Sequence, residues 1–130
     1  MSFLKFATFR VTKNPFTVQL VIEKERGTQD EVKELMDGIN SLFQCRSPFT
    51  LLIDARVMSS VDFSSAYDIA AFMKKNRENF KNFTLASAIL IKSPLTRELI
   101  KTVFLIQPPA SPNLVTTNEV EASKFLKRYL

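Results

Sequence analysis

The chain reads as an α/β domain of order ββαβαβαβα, with a mostly parallel sheet, an antiparallel N-terminal edge strand and helices packed on the sheet. Three observations predict this. Helix-start signatures stand at Thr28, Ser93 and Asn118, each opening a stretch with apolar residues at helical spacing. Short, nearly unbroken apolar runs lie between helical stretches, at Phe49–Ile53 (FTLLI) and Leu85–Ile91 (LASAILI). Runs of that kind suit strands buried on both faces. An Asn14-Pro15 turn joins two earlier apolar segments into a hairpin.

The first strand is predicted over Phe3–Thr12, where Phe3, Lys5, Ala7 and Phe9 alternate imperfectly with Leu4, Phe6 and Thr8. Phe16–Ile22 (FTVQLVI), β-branched and apolar, is the second. Gly27 breaks it, Thr28 caps a helix, and Glu31 three residues later completes a capping box. Val32, Leu35, Met36, Ile39, Leu42 and Phe43 then recur at helical spacing, with Asp30, Glu34 and Asp37 turned outward. Gly38 inside this helix costs about 1 kcal/mol relative to Ala, which points to close packing there.

Pro48 precedes the central strand and Asp54 closes it. After the connection 55–61 a helix is predicted over Ser64–Phe80, with Ala66, Ile69, Ala70 and Met73 on one stripe and Asp62 as its N-cap. Ser65 with Asp68 offers a second box for a slightly later start. Ser93 and Pro94 place a cap and a first-position proline before Leu95, Leu99, Val103 and Ile106. Pro108, Pro109 and Pro112 end that helix. A strand at Asn113–Thr116 leads to Asn118, whose partner Glu121 marks the start of a last helix bearing Ala122, Phe125, Leu126 and Tyr129. Strands alternating with helices demand right-handed crossovers, so the last four strands should run parallel.

A length of 130 residues fits one domain spanning 1–130. Twelve Phe against two Tyr and no Trp favour an apolar interior over a wet aromatic binding surface. The net charge of +5 is spread from Lys5 to Arg128. Its one cluster, Lys74, Lys75, Arg77 and Lys81, falls in the last turns of a predicted helix, where the exposed carbonyls favour cations. No nucleic-acid partner is therefore expected. The lone Cys45 excludes an intrachain disulfide and reads as a small core residue at a helix end. No apolar run approaches a membrane span, and Met1-Ser2-Phe3-Leu4-Lys5 is unlike a secretion signal, so a cytoplasmic location is expected.

The absence of histidine removes the commonest general base and the commonest zinc ligand. With two glycines there is neither a P-loop nor a dinucleotide fingerprint. No catalytic residue, metal or cofactor is expected, and the chain reads as a non-enzyme. Asp54 is the candidate ligand-end carboxylate, because open α/β sheets gather ligands at the carboxyl ends of their strands. Termination of the strand is the competing role for it.

Leu51-Leu52-Ile53-Asp54 followed by Val61-Asp62-Phe63-Ser64-Ser65 resembles the STAS domain of bacterial anti-sigma-factor antagonists and of sulfate transporters. In that family a buried strand leads to an Asp-Ser-Ser-Gly motif at the start of the next helix, and a partner kinase phosphorylates the second serine. Asp62 falls on the motif aspartate and Ser64 on the phosphorylated serine, while Phe63 and Ser65 depart from the pattern. Asn113-Leu114-Val115 and the stretch 117–126 resemble the closing strand and last helix of the family. A related branch shares the fold without the motif and includes small stand-alone STAS-like proteins and lipid-binding CRAL-TRIO domains.

The resemblance implies a protein-interaction module whose partner surface carries Asp62, Ser64 and Ser65, with Ser64 as candidate phosphoacceptor. Its partner is another protein, and a helix-capping role for Ser64 or Ser65 stands beside that reading. The alternative is a lipid or small hydrophobic ligand carrier. Its phenylalanines would line an internal pocket of roughly 300 Å³ or more.

Overall fold

The computed structural model describes residues 7–13, 16–60 and 62–130. Strands β1 (Ala7–Lys13) and β2 (Phe16–Ile22) pair antiparallel, with Ala7 opposite Ile22. Strands β3 (Phe49–Asp54), β4 (Thr84–Leu90) and β5 (Asn113–Thr116) then join in chain order, each parallel to the one before. Five helices complete the described residues: α1 (Gln29–Phe43), α2 (Ser65–Lys75), α3 (Arg77–Phe83), α4 (Pro94–Ile106) and α5 (Glu119–Lys127). Phe3–Phe6 of the first expected strand, the Asn14-Pro15 turn and Val61 lie outside the described residues.

Because each parallel step moves the same way across the sheet, right-handed crossovers set α1, α2 and α4 on one face. Strand alternation sends Val18, Leu20, Ile22 and Leu51 to that face. Ala86, Ala88 and Leu90 point to the other, where they pack on Ala122 and Leu126 of α5. Alanines on both sides let α5 lie close to the strands.

Three of the four predicted caps form, and the fourth does not: α2 has Ser64 rather than Asp62 at its N-cap position, because Asp62 is spent on a turn that precedes the helix. Thr28 Oγ1 accepts from the Glu31 N–H at 3.2 Å while Glu31 Oε1 accepts from the Thr28 N–H at 3.0 Å. Ser93 Oγ accepts from the Leu95 N–H, and Asn118 Oδ1 from the Glu121 N–H. Gly38 is a close-approach position, since a Cβ there would lie 2.7 Å from Cε2 and Cζ of Phe9 on β1.

Two further expectations fail. The helix expected over Ser64–Phe80 is two helices, parted at Asn76, whose φ of −104° and ψ of 20° leave the helical region. The Asn76 side-chain amide donates to the Phe72 carbonyl at 3.0 Å, competing with the helical pattern in the way short polar side chains do. The break aims Phe80 edge-on at Phe43 (5.0 Å between centroids) and at Phe72 (5.9 Å). Cys45 is exposed rather than part of the core. The helix stops at Phe43, and Cys45 falls in the turn that Arg46 completes with φ 52°.

Candidate functional site

Asp54 ends β3, as the apolar run requires, but both its oxygens are occupied. Arg56 Nε donates to Oδ1 at 2.9 Å and Nη2 to Oδ2 at 2.7 Å, and the Arg56 backbone N–H adds a third bond at 3.2 Å. Arg56 Nη1 reaches on to Glu119 at the start of α5, 3.4 Å away. The guanidinium holds the Asp54 carboxyl below the usual carboxylate range against the opposing effect of burial. Asp54 is paired with Leu90, on the α5 side of the sheet. The sheet order also lacks the reversal at which open α/β sheets bind ligands. Asp54 is thus a pin between β3 and α5.

The connection that carries Asp62 is tied down on two sides. The N–H groups of Ser59 and Ser60 donate to the Glu25 carbonyl, and Ser60 pairs with Arg26 in an isolated parallel bridge beyond the sheet. Buried Thr96 on α4 donates through Oγ1 to the Met58 carbonyl at 3.0 Å. Asp62 then forms an Asx turn, its Oδ1 accepting from the Ser64 N–H at 2.9 Å and from Ser64 Oγ at 2.7 Å. These Ser64 bonds, with Arg26 nearby, hold the Asp62 carboxyl low.

Ser64 occupies the N-cap position of α2, yet its side chain caps no helical N–H and donates to Asp62 instead. Gln29 Nε2 of α1 lies 3.5 Å from its hydroxyl. Asp62 and Ser64 are both exposed, whereas Ser65 is 3% exposed and points inward. Ser65 therefore leaves the expected partner surface, because the helical turn beginning there faces α2 toward the core. In its place Phe63 (43% exposed) and Tyr67 (68% exposed) flank Ser64 at the surface. Neither was singled out by the motif comparison, though an aromatic next to a first-turn serine was visible in the sequence.

Between the sheet and the layer of α1, α2 and α4 runs an apolar crevice of about 210 Å³. Ile22, Leu51, Ile53 and Ile89 form its floor. Leu35 and Met36 of α1, Ile69 and Met73 of α2 and Leu99 and Ile100 of α4 form its roof. Many of these side chains, among them Leu35, Met36, Ile53, Ile69, Met73 and Ile89, are only half-buried although they sit at the middle of the domain. Phe72, Phe80 and Phe104 line the crevice, and Phe80 joins it to an aromatic cluster of Phe43, Phe49 and Phe83 behind it. Among the described residues Asp62 is the one charged residue on its wall, at the end where Gly27 and Ser60 also sit.

No protein-family model and no curated protein matches the chain. Among solved structures, the chain is similar to an uncharacterised protein of the DUF3478 family from Shewanella loihica PV-4, which has a SpoIIAA-like fold. The two superpose with a TM-score of 0.63 at 13% identity, over 92% of this chain and 91% of the other. The chain thus has a SpoIIAA-like fold, the architecture of the STAS and anti-sigma-factor-antagonist type. Among the described residues no helix is long and apolar enough to cross a membrane.

Proposed function

We propose that this domain is a non-catalytic binding module whose ligand is a small apolar molecule held in the crevice between the sheet and α1, α2 and α4. The observation that carries this reading is a cleft lined by Leu, Ile, Met and Phe side chains that stay half-buried at the centre of the fold. A domain with no ligand to accommodate closes such space, because protein interiors pack as densely as organic crystals. At about 210 Å³ the crevice is smaller than the roughly 300 Å³ typical of drug-sized ligands. It is larger than the roughly 150 Å³ apolar cavity that takes benzene. The ligand is accordingly small. A non-catalytic role is supported by the lack of histidine in the sequence and by the engagement of the wall carboxylate of Asp62 with Ser64.

Titration with the neutral fluorescent dye N-phenyl-1-naphthylamine tests this. Saturable binding is expected, weakened at least tenfold by Ile89→Trp, which fills the floor of the crevice while far-UV circular dichroism stays unchanged. No saturable binding, or equal binding by the folded variant, refutes the reading.

A second reading, regulation through protein contact in the cytoplasm, is favoured by the exposed Phe63 and Tyr67 beside Ser64. A phosphate on Ser64 would bring two negative charges against the Asp62 carboxylate and break the Asx turn that opens α2. Ser64→Asp and Tyr67→Ala should then change the partners recovered from the source organism. Identical recovery from both variants and the wild type removes this reading.

A further inference from the structure

We infer that the crevice takes an amphiphile with an uncharged hydrogen-bonding end group, received by Ser87 and Asn113 with Ser111 beside them. The inference rests on the apolar-ligand reading above and names the chemistry of that ligand. Ser87 of β4 and Asn113 of β5 stand directly opposite each other in the parallel ladder, and both face the crevice. Ser111, just before β5, lines the same end. Among the described residues none of these three side chains makes a hydrogen bond, and none is sealed from the crevice or solvent. The strand does not need them, because the Ser87 N–H already donates to the Pro112 carbonyl at 2.9 Å. Thr96, another hydroxyl of the lining, is by contrast committed to the Met58 carbonyl.

An amide and two hydroxyls offer donors and acceptors together, which suits an alcohol, an amide or a ketone. Among the described residues no Lys or Arg lines the crevice, so a carboxylate head would be desolvated without a counter-charge from them. The charged wall residue, Asp62, lies at the opposite end and is taken up by Ser64. An ammonium head is the alternative that this carboxylate would favour. The ligand therefore lies with its polar end toward β5 and its apolar tail under α1 and α2.

The test is competition against bound N-phenyl-1-naphthylamine by 1-octanol, octanamide, octanoate and octylamine. Octanol and octanamide are expected to displace the dye at concentrations at least tenfold below the two charged octyl compounds. Ser87→Ala and Asn113→Leu, each checked by thermal melt, should each cost about fivefold in octanol affinity while leaving the affinity for the dye nearly unchanged. Where Asn113→Leu fails to fold, the smaller Ser87→Ala decides. Octanoate or octylamine competing as well as octanol overturns the inference, as does octanol binding that neither variant weakens. Dye that binds and is displaced without regard to head group leaves the apolar crevice standing and removes the polar end. Absence of dye binding removes both.

Discussion

Replacing Gly38 with alanine puts a methyl group where the Phe9 ring already is. An ideal Cβ lies 2.7 Å from Cε2 and Cζ of that ring. Carbon atoms in good contact stand about 3.5–4.0 Å apart, so the ring or α1 must move by roughly an ångström. Overpacking of this size costs about 1–3 kcal/mol. Alanine returns about 1 kcal/mol through helix propensity. The balance is a net destabilisation of about 1 kcal/mol. In a Phe9→Leu background the two clashing ring atoms are gone, and the same substitution should stabilise by about 1 kcal/mol. Urea unfolding of the wild type, both single variants and the double variant, followed by circular dichroism, reads this reversal of sign. Gly38→Ala that stabilises in both backgrounds refutes the reasoning. Because Val32, Leu35, Met36 and Ile39 of α1 line the crevice, a displaced helix should also change dye affinity.

Three further outcomes are expected. Thr84 Oγ1 is buried with no hydrogen-bond partner among the described residues, so Thr84→Val should raise stability by about 1 kcal/mol in a thermal melt; a loss would mean that the hydroxyl is satisfied. Ser64→Ala should fall within about 0.5 kcal/mol of the wild type, since the Ser64 side chain caps no helical N–H; a larger loss assigns it a structural role. The carboxyls of Glu31, bonded first to Lys24 and then to the Thr28 N–H, and of Asp54, bonded to Arg56, both sit below the ordinary range in the folded state. Their folded pKa values are depressed relative to the unfolded chain. The stability they add is therefore present above the ordinary carboxylate range and is lost as pH falls below about 4 through the depressed values. The urea midpoint should drop over that range, and the drop should be shallower in Arg56→Met and Glu31→Gln. Equal slopes in all three proteins count against both pairs.

What the sequence made legible was whatever is local. Thr28 with Glu31, Ser93 with Pro94 and Asn118 with Glu121 place their partners within one helical turn, so three helix starts could be read from spacing alone. The apolar runs at Phe49 and Leu85 announced central strands because helices lie over both faces of those strands, even though Leu85 itself is exposed. The break at Asn76 was hidden, since Phe72, Phe80 and Phe83 keep a helical rhythm across it and the deciding bond comes from one amide side chain. The inward turn of Ser65 depends on where α2 begins, and one residue of helix phase turns a side chain through about 100°. Arg56 was overlooked because half of its role lies on Glu119, distant in sequence. The crevice differs from the pocket expected of a carrier, being about 210 Å³ and lined by Leu, Ile and Met more than by Phe. Its existence depends on the height of the helix layer above the sheet, which contacts such as Phe9 against Gly38 set and no periodicity encodes.

A sheet whose strands lie in chain order can be laid down as the chain is made. Each parallel pair closes over the helices between its own two strands, so every pairing joins strands that are consecutive in the chain, although each parallel closure still waits for its crossover helix and is slower than a hairpin. During synthesis the hairpin can form first and each strand–helix unit can dock on the edge left by its predecessor. The reverse face waits longest. Ala86, Ala88 and Leu90 stand bare until α5 arrives, so the nascent domain carries a sticky strip that its last helix removes.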